Sequence, residues 1–100
     1  MKERRGPLAV ANRRDQELLL SLFRAAREEK GLSQSELARL LKKPQSFVSK
    51  YEGGARRLDL LELKTVCDTL GVDVVEFVRQ FVEQVAAQAS RSTRRTKSSA

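Results

Sequence analysis

Histidine and tryptophan are absent from the 100 residues of this chain, and cysteine occurs once, as Cys67. Without histidine the chain lacks the commonest general base and metal ligand, and one cysteine alone forms neither an internal disulfide nor a thiolate metal cluster. A Walker-type glycine loop is also missing, and no nucleophile stands beside a recognisable base. The sequence therefore predicts no enzyme activity, no metal site and no cofactor.

Long apolar runs are missing as well. The stretch from Leu8 to Ala11 is too short for the core of a signal peptide, so we expect no membrane segment. One cysteine fits a reducing compartment, and the expected location is the cytoplasm. Cys67 itself is predicted to be a small buried apolar residue, which is a simpler interpretation than a redox switch.

Basic side chains dominate the charge, with 20 Lys and Arg, 13 Asp and Glu, and a net charge of +7. Residues 30–57 carry seven basic and two acidic side chains, whereas the neighbouring segments 15–29 and 58–85 are acidic overall. Residues 1–14 and 86–100 are basic ends with a net charge of +4 each. This distribution indicates a polyanionic partner that contacts one face of the domain. For the two ends alone, solvated charge is an equal alternative.

Capping signals and the helical spacing of apolar residues predict five helices and no strand. The first helix is expected to begin with Asp15 as its cap and to end at Gly31. One pattern then occurs three times. It consists of an apolar residue, a Ser or Asp, two further residues, a Glu and a second apolar residue. It predicts capping boxes that begin helices at Ser33, Asp59 and Asp73.

A short third helix is predicted from Gln45, after Pro44, to Glu52. A break of about three residues separates it from the second helix, which is the arrangement of a helix-turn-helix. Helical periodicity places Val48 and Tyr51 on the side that packs against the second helix. The opposite side is polar and consists of Gln45, Ser46, Ser49 and Lys50. This polar side is available to contact bases.

Three runs of the sequence carry a family resemblance. They are Ala26 to Ala38, Pro44 to Gly54, and Leu70 to Asp73. Together they resemble the phage repressor and Cro-like (XRE-type) helix-turn-helix family. The resemblance implies an all-α, compact five-helix lambda-repressor-like domain over residues 15–85, whose third helix enters the major groove in a prokaryotic, phage or plasmid context. Residues 1–14 are then expected to form a flexible basic arm, and residues 86–100 a basic, disordered tail.

Carried over by position, the resemblance makes Gln34 a phosphate contact that also braces the first residue of the third helix. An ordinary glutamine at a helix start is the alternative. Gln45 is the expected reader of adenine through N6 and N7, and Ser46 adds little discrimination. Lys50 is placed to reach guanine or a phosphate, and Ser49 is expected to support one of these contacts.

The flanks of the third helix leave several alternatives open. Phe47 fits either packing on the core or contact with a thymine methyl group. Lys43, Arg56 and Arg57 are expected to clamp phosphates, with solvated surface charge as the alternative. Lys42 stands where the family usually has glycine in the turn. It implies either a strained turn, at a cost of about 1 to 2 kcal/mol, or a different turn geometry.

An apolar stripe on the fifth helix continues beyond the part that a monomeric core needs. Unless the first helix or the arm covers them, its members are expected at a subunit interface. They are Val75, Val78, Phe81, Val82 and Val85. A symmetric homodimer would place two third helices about 34 Å apart, which matches two major grooves of double-stranded DNA.

The predicted function is that of a sequence-specific transcriptional regulator, a repressor that binds a palindromic operator as a homodimer. The alternative is an antitoxin-like interaction module, whose fifth helix or tail binds another protein and whose DNA binding is autoregulatory.

Overall fold

The computed structural model describes the backbone of residues 13–99 and the side chains of residues 13–90. Within these bounds it consists of five α-helices and no strand, which confirms the predicted all-α architecture. The helices are α1 (Arg13–Glu29), α2 (Gln34–Leu41), α3 (Gln45–Gly53), α4 (Leu60–Leu70) and α5 (Val74–Ser99). None of the helices in the described part is both long enough and apolar enough to cross a membrane.

Two of the three predicted capping boxes are complete. The Ser33 hydroxyl accepts a hydrogen bond from the Glu36 amide at 3.0 Å, and the Glu36 carboxylate accepts one from the Ser33 amide at 2.8 Å. Asp59 and Glu62 make the same exchange at the start of α4, at 2.8 and 3.0 Å. These bonds satisfy amides that have no carbonyl partner in the first turn, and they fix where both helices begin.

The start of α5 is capped by one side-chain bond only. The Asp73 carboxylate accepts a hydrogen bond from the Val75 amide at 3.0 Å. The predicted return bond, from the Asp73 amide to the Glu76 carboxylate, is not found among the described residues, and Glu76 forms an ion pair with the Arg79 guanidinium. Asp73 still marks the helix start, so the predicted position is right and half of the predicted box is wrong.

The first helix begins earlier than predicted. It starts at Arg13, so Asp15 lies within the first turn, where its carboxylate stabilises the positive end of the helix dipole. The rest of the predicted basic arm, residues 1–12, lies outside the described residues.

Aromatic rings at the centre of the domain join the first, third and fifth helices. Phe23 of α1 stacks on Phe77 of α5 with ring centroids 5.6 Å apart, and it meets Tyr51 of α3 edge-on at 5.1 Å. The other buried apolar residues are Leu37, Ala38, Val48, Val66, Cys67 and Leu70. Cys67 is only 3% exposed, which confirms its predicted place in the core, and burial raises the pKa of its thiol.

The end of α3 lies unusually close to α1. Gly54 follows the helix with a left-handed φ of 91°. A Cβ atom at this position would lie 3.2 Å from side-chain atoms of Gln16 and Leu20 of α1. Glycine therefore permits both the backbone conformation and the close approach that hold α3 against α1.

The fifth helix extends through the segment predicted to be a disordered tail. Composition favours disorder from residue 86 onward, yet α5 continues to Ser99. Ala86, Ala87 and Gln88 are good helix formers, and they extend a helix that Phe77 already anchors in the core, so propagation needs no new nucleus. The side chains from Arg91 onward lie outside the described residues.

Candidate nucleic-acid interface

The turn between α2 and α3 depends on a lysine in a left-handed conformation. Lys42 has φ 60° and ψ 43°, and it is the only non-glycine residue with a positive φ among residues 13–99. The Lys42 amide donates to the Arg39 carbonyl at 3.1 Å, and the Lys43 amide donates to the Ala38 carbonyl at 2.9 Å. The chain thus makes the tight left-handed turn that usually requires glycine, which is the first of the two alternatives that the sequence left open.

The two sides of α3 differ as the sequence predicts. Val48 and Tyr51 are almost completely buried against the other helices. On the opposite side all four predicted polar residues are exposed. They are Gln45, Ser46, Ser49 and Lys50. The inner side of α3 therefore holds the helix in place, while its outer side is free to contact a ligand.

A buried ion pair adds a polar attachment between α3 and α1. The Arg27 Nε donates to Glu52 Oε2 at 2.8 Å, and Nη2 donates to Oε1 at 3.0 Å. A third bond, from Nη1 to the Leu32 carbonyl at 2.8 Å, ties the pair to the chain just before α2. The hydrogen bonds to Glu52 raise the pKa of Arg27. This bidentate arrangement fixes the distance and rotation of α3 relative to α1.

Gln34 contacts this ion pair. Its side-chain Nε2 donates to Glu52 Oε1 at 3.0 Å, and the residue is half-buried. The prediction that Gln34 braces the first residue of α3 is therefore wrong, because its amide is directed to the carboxylate of Glu52 near the end of that helix. One N–H of the amide is used in this bond, and the second remains for a further acceptor.

A different residue of α2 contacts the first residue of α3. The Ser35 hydroxyl donates to Gln45 Oε1 at 3.3 Å, and both side chains are exposed. Farther along α3, the Ser49 hydroxyl donates to the backbone carbonyl of Ser46 at 3.4 Å. Ser49 thus bonds within its own helix, whereas Gln45 is held from a neighbouring one.

Phe47 lies at the edge of the core. Its ring is half-buried and meets the Tyr51 ring edge-on, with centroids 5.5 Å apart. The Arg56 guanidinium carbon lies 4.8 Å from the Phe47 centroid, and Lys43 Nζ lies 5.5 Å from it. Packing on the core is therefore observed, and cations flank the ring at the surface. Contact with a thymine methyl group stays a prediction.

The three cations predicted to clamp phosphates have different surroundings. Arg56 forms two hydrogen bonds with the Glu62 carboxylate, at 3.0 and 2.8 Å. These bonds, with the bond from the Asp59 amide, lower the pKa of Glu62 to about 2. The Glu62 carboxylate already compensates the positive charge of Arg56. Arg56 is therefore less available to bind a phosphate than Lys43 or Arg57.

Lys43, Lys50 and Arg57 are exposed and form no ion pair with the part of the chain that the structure describes. Arg57 is steadied by a bond from Nη2 to Gln16 Oε1 of α1, at 3.0 Å. These exposed charges flank or lie on the outer side of α3. The surface around α3 is therefore positive where its polar side chains are free.

A comparison with protein-family models matches residues 23–77 to the model described as Helix-turn-helix. The match runs from one stacked core ring, Phe23, to the other, Phe77, and includes all of α2, the turn and α3. This chain belongs to the helix-turn-helix family. A comparison with curated proteins finds no match.

Similar solved structures identify the type within the helix-turn-helix family. An XRE-family like protein from Pseudomonas syringae pv. tomato str. DC3000 is 35% identical with a TM-score of 0.72, over 78% of this chain and 95% of that chain. The clp gene regulator ClgR from Corynebacterium glutamicum is 26% identical with a TM-score of 0.67, over 79% of this chain and 84% of that chain. A mutant of the restriction-modification controller protein C.Esp1396I shares the fold, with a TM-score of 0.65 at 22% identity over 72% and 96% of the two chains. The protein is an XRE-type DNA-binding transcriptional regulator.

In this helix-turn-helix protein, α5 has two apolar faces. Val75, Val78 and Val82 are 71%, 40% and 56% exposed and form a stripe along one face. Phe81 and Val85 are half-buried. Phe81 lines a cleft of about 340 Å³ together with Leu19, Leu20 and Phe23 of α1. The first helix therefore covers Phe81 in part, which is the exception that the sequence left open, whereas the three valines project from the single chain.

Sequence reasoning missed several residues that shape the interface. Arg27 and Glu52 are 25 positions apart, and no local pattern links them. A pattern in the sequence does indicate them, because Arg27 and Glu52 each follow a core residue, Phe23 and Val48, by one helical turn. A charged residue at such a position needs a buried partner. Ser35 gave no signal of its own, since an exposed serine in a first helical turn is ordinary.

Proposed function

We propose that this helix-turn-helix protein is a repressor that binds a palindromic operator as a homodimer in the cytoplasm of a prokaryotic cell. The observation that carries the proposal is the outer side of α3, where Gln45, Ser46 and Lys50 are exposed on a helix held by the core and by a buried ion pair. A helix held in this way presents its side chains to a major groove in a fixed register. Occupying the operator then blocks the polymerase.

The side chains on the outer side of α3 are assigned to bases. Gln45 reads adenine, because its amide can accept from N6 and donate to N7 at the same time. Lys50 donates to guanine O6 or N7, or to a neighbouring phosphate. Ser46 bonds several bases equally well and adds little discrimination, while Ser49 supports the backbone at Ser46.

Phosphate contacts come from the flanks of α3. Lys43 and Arg57 are exposed cations that form no ion pair among the described residues, and we assign them to phosphates on the two sides of the groove. Pro44 provides no side-chain cap, so the positive end of the α3 dipole also favours an anion. Gln34 can contribute the second N–H of its amide. Arg56 orders the loop through Glu62 and is a weaker phosphate ligand than predicted.

The homodimer is assigned to α5. The exposed valines Val75, Val78 and Val82 form a continuous apolar stripe along one face of α5, and a second copy of the stripe would cover it symmetrically. Phe81 and Val85 then support this interface from the side that packs toward α1. Two copies would present two α3 helices to successive major grooves and would double the contacts to DNA.

The same stripe favours one alternative. In an antitoxin-like interaction module, α5 or the tail binds a different protein, and DNA binding only regulates the module's own expression. The two possibilities differ in the oligomeric state of the isolated chain. A chain that dimerises alone supports the repressor, and one that stays monomeric until a partner is added supports the interaction module.

Selection from a random duplex library tests the proposal. At about 0.15 M salt, where nonspecific attraction to phosphate is weakened, we expect enrichment of a palindrome with half-sites about one helical turn apart. Gln45→Ala should lose about 1 to 3 kcal/mol of discrimination at one base pair of each half-site. Gln80→Ala, which removes an exposed glutamine from α5, is the matched control and should select the parental motif. A library without any enriched motif would refute the proposal.

A further inference from the structure

Ser35 of α2 and Gln45 of α3 meet between the starts of their helices, where the Ser35 hydroxyl donates to Gln45 Oε1 at 3.3 Å. We propose that Ser35 is a positioning residue that fixes the side-chain amide of Gln45 for reading one base pair. The inference rests on the proposed function, because it requires Gln45 to face a major groove. Ser35 itself has no assigned contact with DNA.

The other polar residues at the start of α2 are occupied elsewhere. The Ser33 hydroxyl caps the helix by accepting from the Glu36 amide, and the Gln34 amide donates to Glu52. Ser35 is exposed, and its hydroxyl takes no part in the capping box. Removing this hydroxyl therefore leaves the start of α2 and the buried ion pair intact, which separates an effect on Gln45 from an effect on folding.

On the α3 side, the backbone of Gln45 is already fixed. Pro44 precedes it with φ −68° and ψ 155°, and Gln45 is the first residue of the helix. The freedom that remains is in its long side chain, which is exposed and would otherwise rotate in water. The bond from Ser35 is the contact within the described residues that restrains this side chain.

The bond also decides how the amide is presented. A glutamine amide has an oxygen with two lone pairs and a nitrogen with two N–H donors. The Ser35 hydroxyl occupies one lone pair of Oε1 and thereby distinguishes the oxygen from the nitrogen. The second lone pair and the N–H groups stay available for adenine N6 and N7. A side chain held in this orientation before binding loses less rotational freedom when it meets the base.

The test compares the full chain with Ser35→Ala, Ser35→Thr and Gln45→Ala on the selected duplex and on duplexes changed at each base pair. The base pair that Gln45 reads is the one at which Gln45→Ala loses its preference. At that base pair we expect Ser35→Ala to lower discrimination about three- to tenfold, and Ser35→Thr, which keeps a hydroxyl, to stay within about twofold of the parent. Affinity for random duplex and the thermal midpoint should not change.

The possible results separate this inference from the proposed function. Parental discrimination in Ser35→Ala would overturn the positioning role and leave the proposed function in place. Equal weakening on selected and random duplexes would also overturn it, because the serine would then act on binding in general. If the parent prefers no base pair, or if Gln45→Ala keeps every preference, the positioning role and the reader role fall together.

A measurement on the free protein provides a second test that does not depend on DNA. NMR relaxation of the Gln45 side-chain amide reports how far that amide is restrained. We expect its order parameter to fall in Ser35→Ala and to be retained in Ser35→Thr, while the amide of Gln80 on α5 stays unchanged in both variants. An unchanged value for Gln45 in Ser35→Ala would contradict the inference.

Discussion

Arg27 and Glu52 form a bidentate ion pair, with hydrogen bonds of 2.8 and 3.0 Å, although 25 positions separate them in the chain. Glu52 is 1% exposed and belongs to the same helix as the proposed base-reading residues. The Gln34 amide donates to the same carboxylate, so one side chain of α3 receives bonds from α1 and α2. The orientation of α3 thus depends on a charge pair as well as on apolar packing.

Removing one partner of this pair should be costly. Glu52→Gln leaves the buried Arg27 charge with only the exposed Glu28 carboxylate, 4.0 Å away, as a counterion. We expect a loss of about 3 kcal/mol in the free energy of unfolding, measured by urea denaturation. A double variant, Arg27→Met with Glu52→Leu, should recover part of the loss because no charge is left unpaired. Asp68→Asn, which breaks an exposed pair with Lys64, is the control and should have almost no effect. A double variant as unstable as the sum of its single changes would contradict this interpretation.

Lys42→Gly should stabilise the protein. The left-handed conformation that strains lysine is unstrained for glycine, and we expect a gain of about 1 kcal/mol after the larger entropy of the unfolded glycine chain is allowed for. Thermal or urea unfolding measures the change. Lys42→Ala removes the same charge but keeps the Cβ atom, so it should give no comparable gain. Equal stability of the glycine and alanine variants would show that the turn is not strained.

Arg57→Ala should weaken binding to every duplex by a similar factor. A phosphate contact carries no base information, and its loss should reduce the slope of log K against log salt concentration by about 1. Titrations of selected and random duplexes at several salt concentrations measure both quantities. Arg79→Ala is the matched control, since its guanidinium is paired with Glu76 and Glu83 on α5. A loss confined to the selected duplex would instead make Arg57 a base reader.

Stability should fall in acid partly through Glu62. Its folded pKa is lowered from 4.5 to about 2, chiefly by the hydrogen bonds from Arg56. A depressed pKa contributes stability that is fully present above the unfolded value of 4.5 and is lost as the pH falls toward 2. Thermal midpoints measured between these pH values should therefore fall less steeply in Glu62→Gln than in the parent. Glu29→Gln, which removes an exposed carboxylate from the end of α1, should keep the parental slope.

Val82→Glu should yield a folded monomer. The side chain is 56% exposed in the single chain, so a charge there is tolerated in the monomer but repels its copy across a symmetric interface. Sedimentation equilibrium should show the lower mass, and affinity for the palindrome should fall. Gln80→Glu adds the same charge on the side of α5 that faces away from the stripe, and this variant should remain dimeric. An unchanged mass for Val82→Glu would exclude this face as the dimer interface.

Local signals in the sequence predicted most of the fold. The boxes at Ser33 and Asp59 need only residues within one helical turn, and the possibility of a left-handed Lys42 follows from one residue in one turn position. The division of α3 into a buried and an exposed side likewise follows from helical periodicity alone. In each case the physical cause lies within a few residues, so the sequence contains all of it.

The remaining features depend on contacts between distant segments. The sequence stripe on α5 includes Phe81, but only the placement of α1 decides that Phe81 is partly covered while Val82 is not. Gln45 is bonded by Ser35, while the amide of Gln34 bonds the buried carboxylate of Glu52, and both bonds join different helices. The continuation of α5 past residue 86 follows from its anchored start, which composition does not reveal.

The thiol of Cys67 lies between α4 and the rest of the core with 3% exposure, and burial raises its pKa. The thiolate attacks an alkylating reagent, so Cys67 reacts only in molecules whose core has opened. Because the chain has one cysteine, a single labelling reaction counts such openings without any background from other sites. The rate of Cys67 alkylation thus measures how often the core opens, and it can be compared in the presence and absence of DNA.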